Sequence, residues 1–308
     1  MSYSNITIFS LEQHPLIEKL SSGLKANQGK FNTRQFPDGE SYLRIISEIK
    51  EQHCIVIADL SHPNSKLLPL LFLLDTLKEL GALSVGLVAP YLSYMRQDRR
   101  FIDGEAITSK LFARTLSQHI DYLVTIDPHL HRYHSLNEIY SVPSKVIQGA
   151  PALAQWLKGQ DNLLLVGPDE ESEQWVADIA SYSDHPYVIG KKNRYGDRNV
   201  EIHLPDLSKY QHLTAVIIDD VIASGQTVLC CILELQKQHI NTIKCAAVHG
   251  IFADNSDISL LDAGLTALVT TNTIVHSSNA IDTSTLLISP IQSCITQIEN
   301  KITKLGNI

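Results

Sequence analysis

Short β-branched apolar runs alternate with longer stretches of helical periodicity along the whole chain. That alternation is the pattern of parallel sheets covered by helices. In the first half it predicts strands near 6–9, 54–58, 85–88 and 122–126, with helices near 15–24, 64–80 and 107–119. In the second half it predicts strands near 163–166, 215–218, 242–248 and 267–270, with helices near 173–180 and 227–238. Pro143, Gly149 and Pro151 interrupt the series, which places a domain boundary there and gives domains 1–147 and 148–308. No repeat of solenoid period and no low-complexity tract occurs.

Composition narrows the class. The 308 residues are 44% hydrophobic and 19% charged, enough for two domains with their own cores and too apolar for wholesale disorder. With 25 Lys and Arg against 33 Asp and Glu, a net charge of -8 offers no footprint for nucleic acid or an anionic membrane, so an anionic ligand needs a local site. Five cysteines without CxxC spacing read as reduced core residues. The first residues carry no basic stretch followed by an apolar segment, and the apolar runs are too short to span a bilayer, so a cytoplasmic protein is expected.

The most informative chemistry lies in AVIIDDVIASGQT at 215–227, where an apolar strand delivers Asp219 and Asp220, then small residues, then a helix start. Backbone N–H groups of Ala223, Ser224, Gly225, Gln226 and Thr227, with the two hydroxyls, can hold a phosphate at the positive end of the helix. The two aspartates would repel that phosphate, so they make sense as acceptors for sugar hydroxyls or as ligands of a divalent cation. A phosphorylated ribose meets both demands. The plainer alternative is an Asp and Ser turn that caps a helix.

This string resembles the ribose 5-phosphate loop shared by type I phosphoribosyltransferases and the ribose-phosphate pyrophosphokinases (phosphoribosyl pyrophosphate synthetases). Seven further segments follow the order of the second family across essentially the whole chain: FPDGE at 36–40, PYLSYMRQDRR at 90–100, DPH at 127–129, PD at 168–169, KNR at 192–194, HGIF at 249–252 and TNTI at 271–274. The resemblance implies an α/β fold of two phosphoribosyltransferase-type domains, each a mostly parallel sheet flanked by helices. The first would be the ATP side and the second would bind ribose 5-phosphate, with the last helix packing back on the first domain. The implied activity is that of a ribose-phosphate diphosphokinase, which moves the β,γ-pyrophosphoryl group of ATP to the C1 hydroxyl of ribose 5-phosphate. The products are phosphoribosyl pyrophosphate and AMP.

Carried over by resemblance, Lys192 and Arg194 contact the transferring phosphates, Arg96, Gln97 and His129 bind ATP, and Phe36, Asp38 and Glu40 contact adenine, in part from a neighbouring subunit. His129 and Asp169 stand at the metal, with Mg²⁺ as the implied cofactor, and the assembly is a homo-oligomer built on dimers, a hexamer among the options. No GxxxxGK[ST] occurs, so ATP has no Walker-type cradle here. Each segment has a plainer reading: FPDGE as a Pro-Asp-Gly turn, the RQD run as a solvated loop, KKNRYGD as a basic hairpin, and His129, His131 and His134 as a loop cluster rather than zinc ligands.

Two positions depart from the family pattern. Glu170, Glu171 and Glu173 replace a loop of small residues after Asp169, which reads as capping of the next helix, and Ala223 stands where many members carry Asp. The acidic loop supports one alternative, a non-catalytic regulatory homologue, while a type I phosphoribosyltransferase is the other.

Overall fold

The computed structural model describes residues 5–130, 132–194 and 200–306, with the side chains of 193, 194, 200 and 305–306 outside the description. By its contacts the chain forms two units, one of Met1–Ile147 with Thr283–Ile308 and one of Gln148–Asp282.

The first unit contains β1 (Ile6–Phe9), α1 (Leu16–Leu24), β2 (Asn27–Gln28), β3 (Phe31–Gln35), β4 (Ser41–Ile45), β5 (His53–Ile57), α2 (Pro63–Glu79), β6 (Ser84–Ala89), α3 (Thr108–His119), β7 (Tyr122–Ile126) and β8 (Ser144–Ile147). Six strands form one sheet in the order β2-β1-β5-β6-β7-β8, every pair parallel. All residues of β5, β6 and β7 are buried, because a parallel sheet covered on both faces needs continuous apolar runs rather than alternation. Helix α2 turns Leu70, Leu73, Leu74 and Leu77 inward at helical spacing. The pair β3 and β4 stands apart as an antiparallel hairpin.

The second unit contains α4 (Ala150–Leu157), β9 (Leu163–Gly167), α5 (Glu173–Ser183), β10 (Tyr187–Ile189), β11 (Lys191–Arg194), β12 (Val200–His203), β13 (Thr214–Ile222), α6 (Gln226–Lys237), β14 (Ile243–Gly250), α7 (Ser256–Asp262), β15 (Leu265–Thr271) and β16 (Asn279–Ile281). Its six-stranded parallel sheet runs β10-β9-β13-β14-β15-β16, and β11 pairs antiparallel with β12. The proline-rich stretch at 143–151 is not a bare linker. Ser144–Ile147 adds the edge strand of the first sheet, and Pro151 lies in the first turn of α4, where its missing N–H costs nothing.

Helix α8 (Ser284–Gly306) belongs to the first unit and packs on α1. Gly23 permits the close approach, since a Cβ there would sit 2.4 Å from Ile288 Cδ1. Glu299 reaches back from α8 to Nε2 of buried His53 at 3.3 Å. Cys54, Cys231, Cys245 and Cys294 are buried, and burial pushes the Cys54 thiol up to about 12, so these groups stay protonated and unreactive. Among the described residues no helix is long and apolar enough to cross a membrane.

Candidate active-site residues

In the second unit the chain leaves β9 outward to β10, then returns to lay β13 on the other flank of β9. The loops after β9 and β13 therefore diverge, and open α/β sheets bind ligands in the crevice this creates. Asp169 follows β9. Strand β13 carries the buried run Ala215, Val216, Ile217, Ile218, then half-buried Asp219 and Asp220.

Ala223 and Ser224 lead into Gly225, which has φ 72° and immediately precedes α6. Ser224 and Gln226 are exposed and Thr227 is half-buried, so the small-residue loop presents its polar side to solvent at a helix N-terminus. A second loop holds this one in place. The N–H groups of Ile251 and Phe252 donate to the Ile222 carbonyl at 2.9 and 3.2 Å. The Ala223 carbonyl accepts from Ala253 N at 2.9 Å and from Ser256 Oγ at 3.0 Å. Phe252, Asp254 and Asn255 all adopt left-handed backbone to form this clasp.

At Gly225 a Cβ would be tight, 3.2 Å from Leu260 Cδ1 and 3.3 Å from Ser256 Cβ, so those neighbours would have to give by a few tenths of an ångström. With its positive φ, Gly225→Ala is expected to cost roughly 1–3 kcal/mol of stability. Urea unfolding checks the stability, and titration with ribose 5-phosphate should show weaker binding as the loop moves.

The carboxylates form one electrostatic group. Lys192 Nζ donates to Asp169 Oδ2 at 3.0 Å, and both side chains are largely buried. Asp220 N donates to Asp219 Oδ1 at 3.0 Å. Burial holds the Asp219 carboxyl well above the usual range, reinforced by the charges of Asp220 and Asp169 and opposed by Lys192. Asp169 also accepts from Ser172 N at 3.2 Å and so caps the short turn Glu170–Ser172. Glu170, Glu171 and Glu173 are exposed in that turn and in the first turn of α5, where the helix dipole favours negative charge.

The HGIF and TNTI segments supply support rather than exposed groups. His249 Nδ1 lies 2.9 Å from Thr273 Oγ1, and Thr271 and Thr273 hydroxyls both donate to the Val248 carbonyl, at 2.7 and 2.9 Å. This buried network joins the carboxyl ends of β14 and β15, next to β13.

In the first unit FPDGE forms the tip of the β3–β4 hairpin. Phe36 N donates to the Glu40 carbonyl at 2.8 Å, Asp38 Oδ1 accepts from Glu40 N at 3.2 Å, and Gly39 has φ 91°. The turn leaves Phe36 partly exposed, with the Arg34 guanidinium 4.2 Å from its ring centroid. The RQD loop is gathered around Glu105, whose carboxylate accepts from Gln97 Nε2 at 3.0 Å, Phe101 N at 2.8 Å and Ile102 N at 3.1 Å. Those backbone hydrogen bonds hold the Glu105 carboxyl below its ordinary range. Asp98 is buried and pairs with Arg132 at 2.8 Å, while Arg96 is exposed.

At the carboxyl end of β7, Asp127 and His129 adopt φ of 36° and 55° on either side of Pro128. Strain of this kind persists where a loop is held for a purpose. Arg194 belongs to β11, but its side chain lies outside the described residues, as does His131.

The structure thus brings Asp169, Lys192, Asp219, Asp220 and the 223–227 loop together in one unit, and it carries Phe36, Asp38, Glu40, Arg96, Gln97 and His129 on loops of the other. Ser256 and Glu105 were not signalled by any motif. Their roles depend on contacts across 33 residues in the first case and on backbone N–H groups in the second.

The chain resembles known proteins along most of its length. Residues 6–119 match the model of the N-terminal domain of ribose phosphate pyrophosphokinase, and residues 135–280 match the phosphoribosyl transferase domain. A ribose-phosphate pyrophosphokinase of Methanobrevibacter smithii is 30% identical over 81% of this chain and 87% of its own length. That of Methanopyrus kandleri is 31% identical over 87% of this chain and 92% of its own. The crystal structure of phosphoribosylpyrophosphate synthetase from Mycobacterium smegmatis superposes with a TM-score of 0.80 at 20% identity, covering 96% of this chain and 100% of that one.

Proposed function

We infer, from the premise that this chain belongs to the ribose-phosphate pyrophosphokinase family, that it is a ribose-phosphate diphosphokinase. The C1 hydroxyl oxygen of ribose 5-phosphate releases its proton to water and forms a bond to the β-phosphorus of ATP. The bond from that phosphorus to the bridging oxygen on the α-phosphorus breaks, and AMP leaves. Phosphoryl-type transfer gives a protein little covalent work, so positioning and charge carry the rate.

In this reading the 223–227 loop and the N-terminus of α6 hold the 5-phosphate, and Asp219 and Asp220 accept from the ribose hydroxyls. Lys192 and Arg194 neutralise the transferring phosphates. Phe36, Asp38 and Glu40 receive adenine, and Arg96, Gln97 and His129 bind the triphosphate.

Among the described residues no three His, Cys, Asp or Glu side chains converge as a closed metal centre. The donor chemistry suits Mg²⁺ all the same. That ion is commonly held by one or two carboxylates together with substrate phosphates and water, and the mutual repulsion around Asp219 is the kind a cation relieves. Asp169 in the second unit and His129 in the first are each candidate ligands for it, and when bound it would neutralise phosphate charge at the reacting centre.

The family resemblance also supports a dimer-based homo-oligomer, and protonated buried thiols suit a cytoplasmic setting. In this reading the ATP side is 1–147 together with the last helix, and the ribose 5-phosphate side is 148–282.

The observation that carries the reading is the small-residue loop after β13, with Asp219 of that strand in electrostatic interaction with the Asp169–Lys192 pair. Incubation of the purified protein with Mg²⁺, ATP and ribose 5-phosphate should yield AMP and phosphoribosyl pyrophosphate in equal amounts. ADP in place of AMP, or no product while ribose 5-phosphate still binds, would contradict it.

A further inference from the structure

The 252–256 clasp behind the ribose loop is strained backbone. Phe252, Asp254 and Asn255 have φ of 50°, 56° and 58°, and left-handed residues of this kind persist only where their surroundings over-determine them. Ala253 N and Ser256 Oγ, both donating to the Ala223 carbonyl, tie the clasp to the loop it holds. Its two ends meet one further side chain.

His276 lies between β15 and β16, and its ring rests against that of Phe252 with centroids 4.6 Å apart and planes tilted by 45°. Its Nε2 stands 3.4 Å from Oδ2 of Asp257, in the first turn of α7 and next to Ser256. The other ring nitrogen fixes the tautomer. Ser278 N can only donate and does so to Nδ1 at 3.2 Å, so Nδ1 is the acceptor and the ring proton lies on Nε2, on the side of the carboxylate.

The histidine is itself anchored to the sheet. His276 N donates to Asn279 Oδ1 at 3.0 Å, and Asn279 Nδ2 donates to Thr270 Oγ1 and to the Thr271 carbonyl at 3.0 and 2.7 Å. Contacts therefore run without a gap from β15 through His276 to the clasp, and from the clasp to the Ala223 carbonyl.

We propose that His276 is a positioning residue for ribose 5-phosphate: it braces the clasp at Phe252 and at Asp257, and the clasp keeps the 223–227 loop in the form that receives the 5-phosphate. The proposal rests on the reading of that loop as the ribose 5-phosphate site. Because His276 acts through the clasp and not on the reacting atoms, its loss falls on affinity and spares the chemical step.

His276→Ala, Asp257→Ala and the double variant, each in the full chain, test it. His276→Ala should raise the KM for ribose 5-phosphate about tenfold or more, with kcat within about twofold of the wild type and the KM for ATP unchanged. Asp257→Ala removes one of the two contacts and should give a smaller rise. The double variant should match His276→Ala, since the two residues form one brace. Hydrogen exchange without ligand gives a readout independent of substrate: the amides of Ile251, Phe252 and Ala253 should exchange about tenfold faster or more in His276→Ala, while those of β5 and β6 are unchanged. An unchanged KM in His276→Ala, a loss in kcat in its place, additive single effects or unaltered exchange at 251–253 overturns the proposal and leaves the ribose reading intact. Failure of the wild type to bind ribose 5-phosphate in calorimetric titration overturns the ribose reading, and the role of His276 with it, whatever the exchange shows.

Discussion

Lys192→Ala should lower kcat for pyrophosphoryl transfer by roughly 100- to 1000-fold, the loss that follows removal of one positioned group at a centre of developing charge. The lysine is well placed for it. Its ammonium is fixed by Asp169 at 3.0 Å, with both side chains largely buried, so its charge is oriented before substrate arrives. Because the 223–227 loop is held by Ile251, Phe252, Ala253 and Ser256 rather than by Lys192, the KM for ribose 5-phosphate should change by no more than a few fold. Steady-state kinetics with AMP as the measured product distinguishes the two parameters. A rise in KM at constant kcat would assign Lys192 to substrate binding instead.

The same variant strips Asp169 of its partner, and breaking one side of a buried pair leaves an uncompensated charge. Lys192→Met should be compared with Lys192→Ala by urea unfolding, so that loss of folded protein is not read as loss of rate. If both remain folded and both are slow, the ammonium itself is the missing element.

How much of this was legible from residues alone follows from how the parts are built. The inner strands β5, β6, β9 and β13 were readable because burial on both faces writes them as unbroken apolar runs. The β3–β4 hairpin was not, since FNTRQ is polar and mostly exposed, and only the Pro-Asp-Gly turn at its tip marked it. The strand Ser144–Ile147 was hidden by the prolines beside it, which at Pro143 and Pro151 flank elements rather than break them.

The site divides in the same way. Asp219 through Thr227 is contiguous, so the strand, the acids and the helix start could be read as one chemical object. Asp169 and Lys192 are 23 residues apart and were signalled only by resemblance; the ion pair needs the β9 and β11 segments to meet. The three glutamates after Asp169, which favoured a regulatory homologue, lie exposed in the turn that Asp169 caps and in the first turn of α5. Their position accounts for them without a change of function.

Asp219→Asn should move stability and binding in opposite directions. Burial and the charges of Asp220 and Asp169 hold the Asp219 carboxyl above its unfolded value, so the folded protein retains a proton that the unfolded chain releases. Stability therefore falls as pH rises from the unfolded carboxylate range through the raised folded value, the reverse of an ion-paired carboxylate. Asparagine is close in shape and keeps an oxygen for the Asp220 N–H, so the variant should lose this slope and gain roughly 1–2 kcal/mol at neutral pH, in line with replacement of other buried charges. When Mg²⁺ and substrate bind together, that proton would be released and the carboxylate would accept from a ribose hydroxyl. Affinity for ribose 5-phosphate should fall about 10- to 100-fold with the loss of a charge-assisted hydrogen bond. Urea unfolding of both proteins across pH 4 to 8 checks the first expectation, and calorimetric titration with ribose 5-phosphate checks the second. A destabilised variant would mean that Asp219 is ionised and paired in the free protein. A stabilised variant with unchanged affinity would remove Asp219 from the ribose site and leave Asp220 as the hydroxyl acceptor.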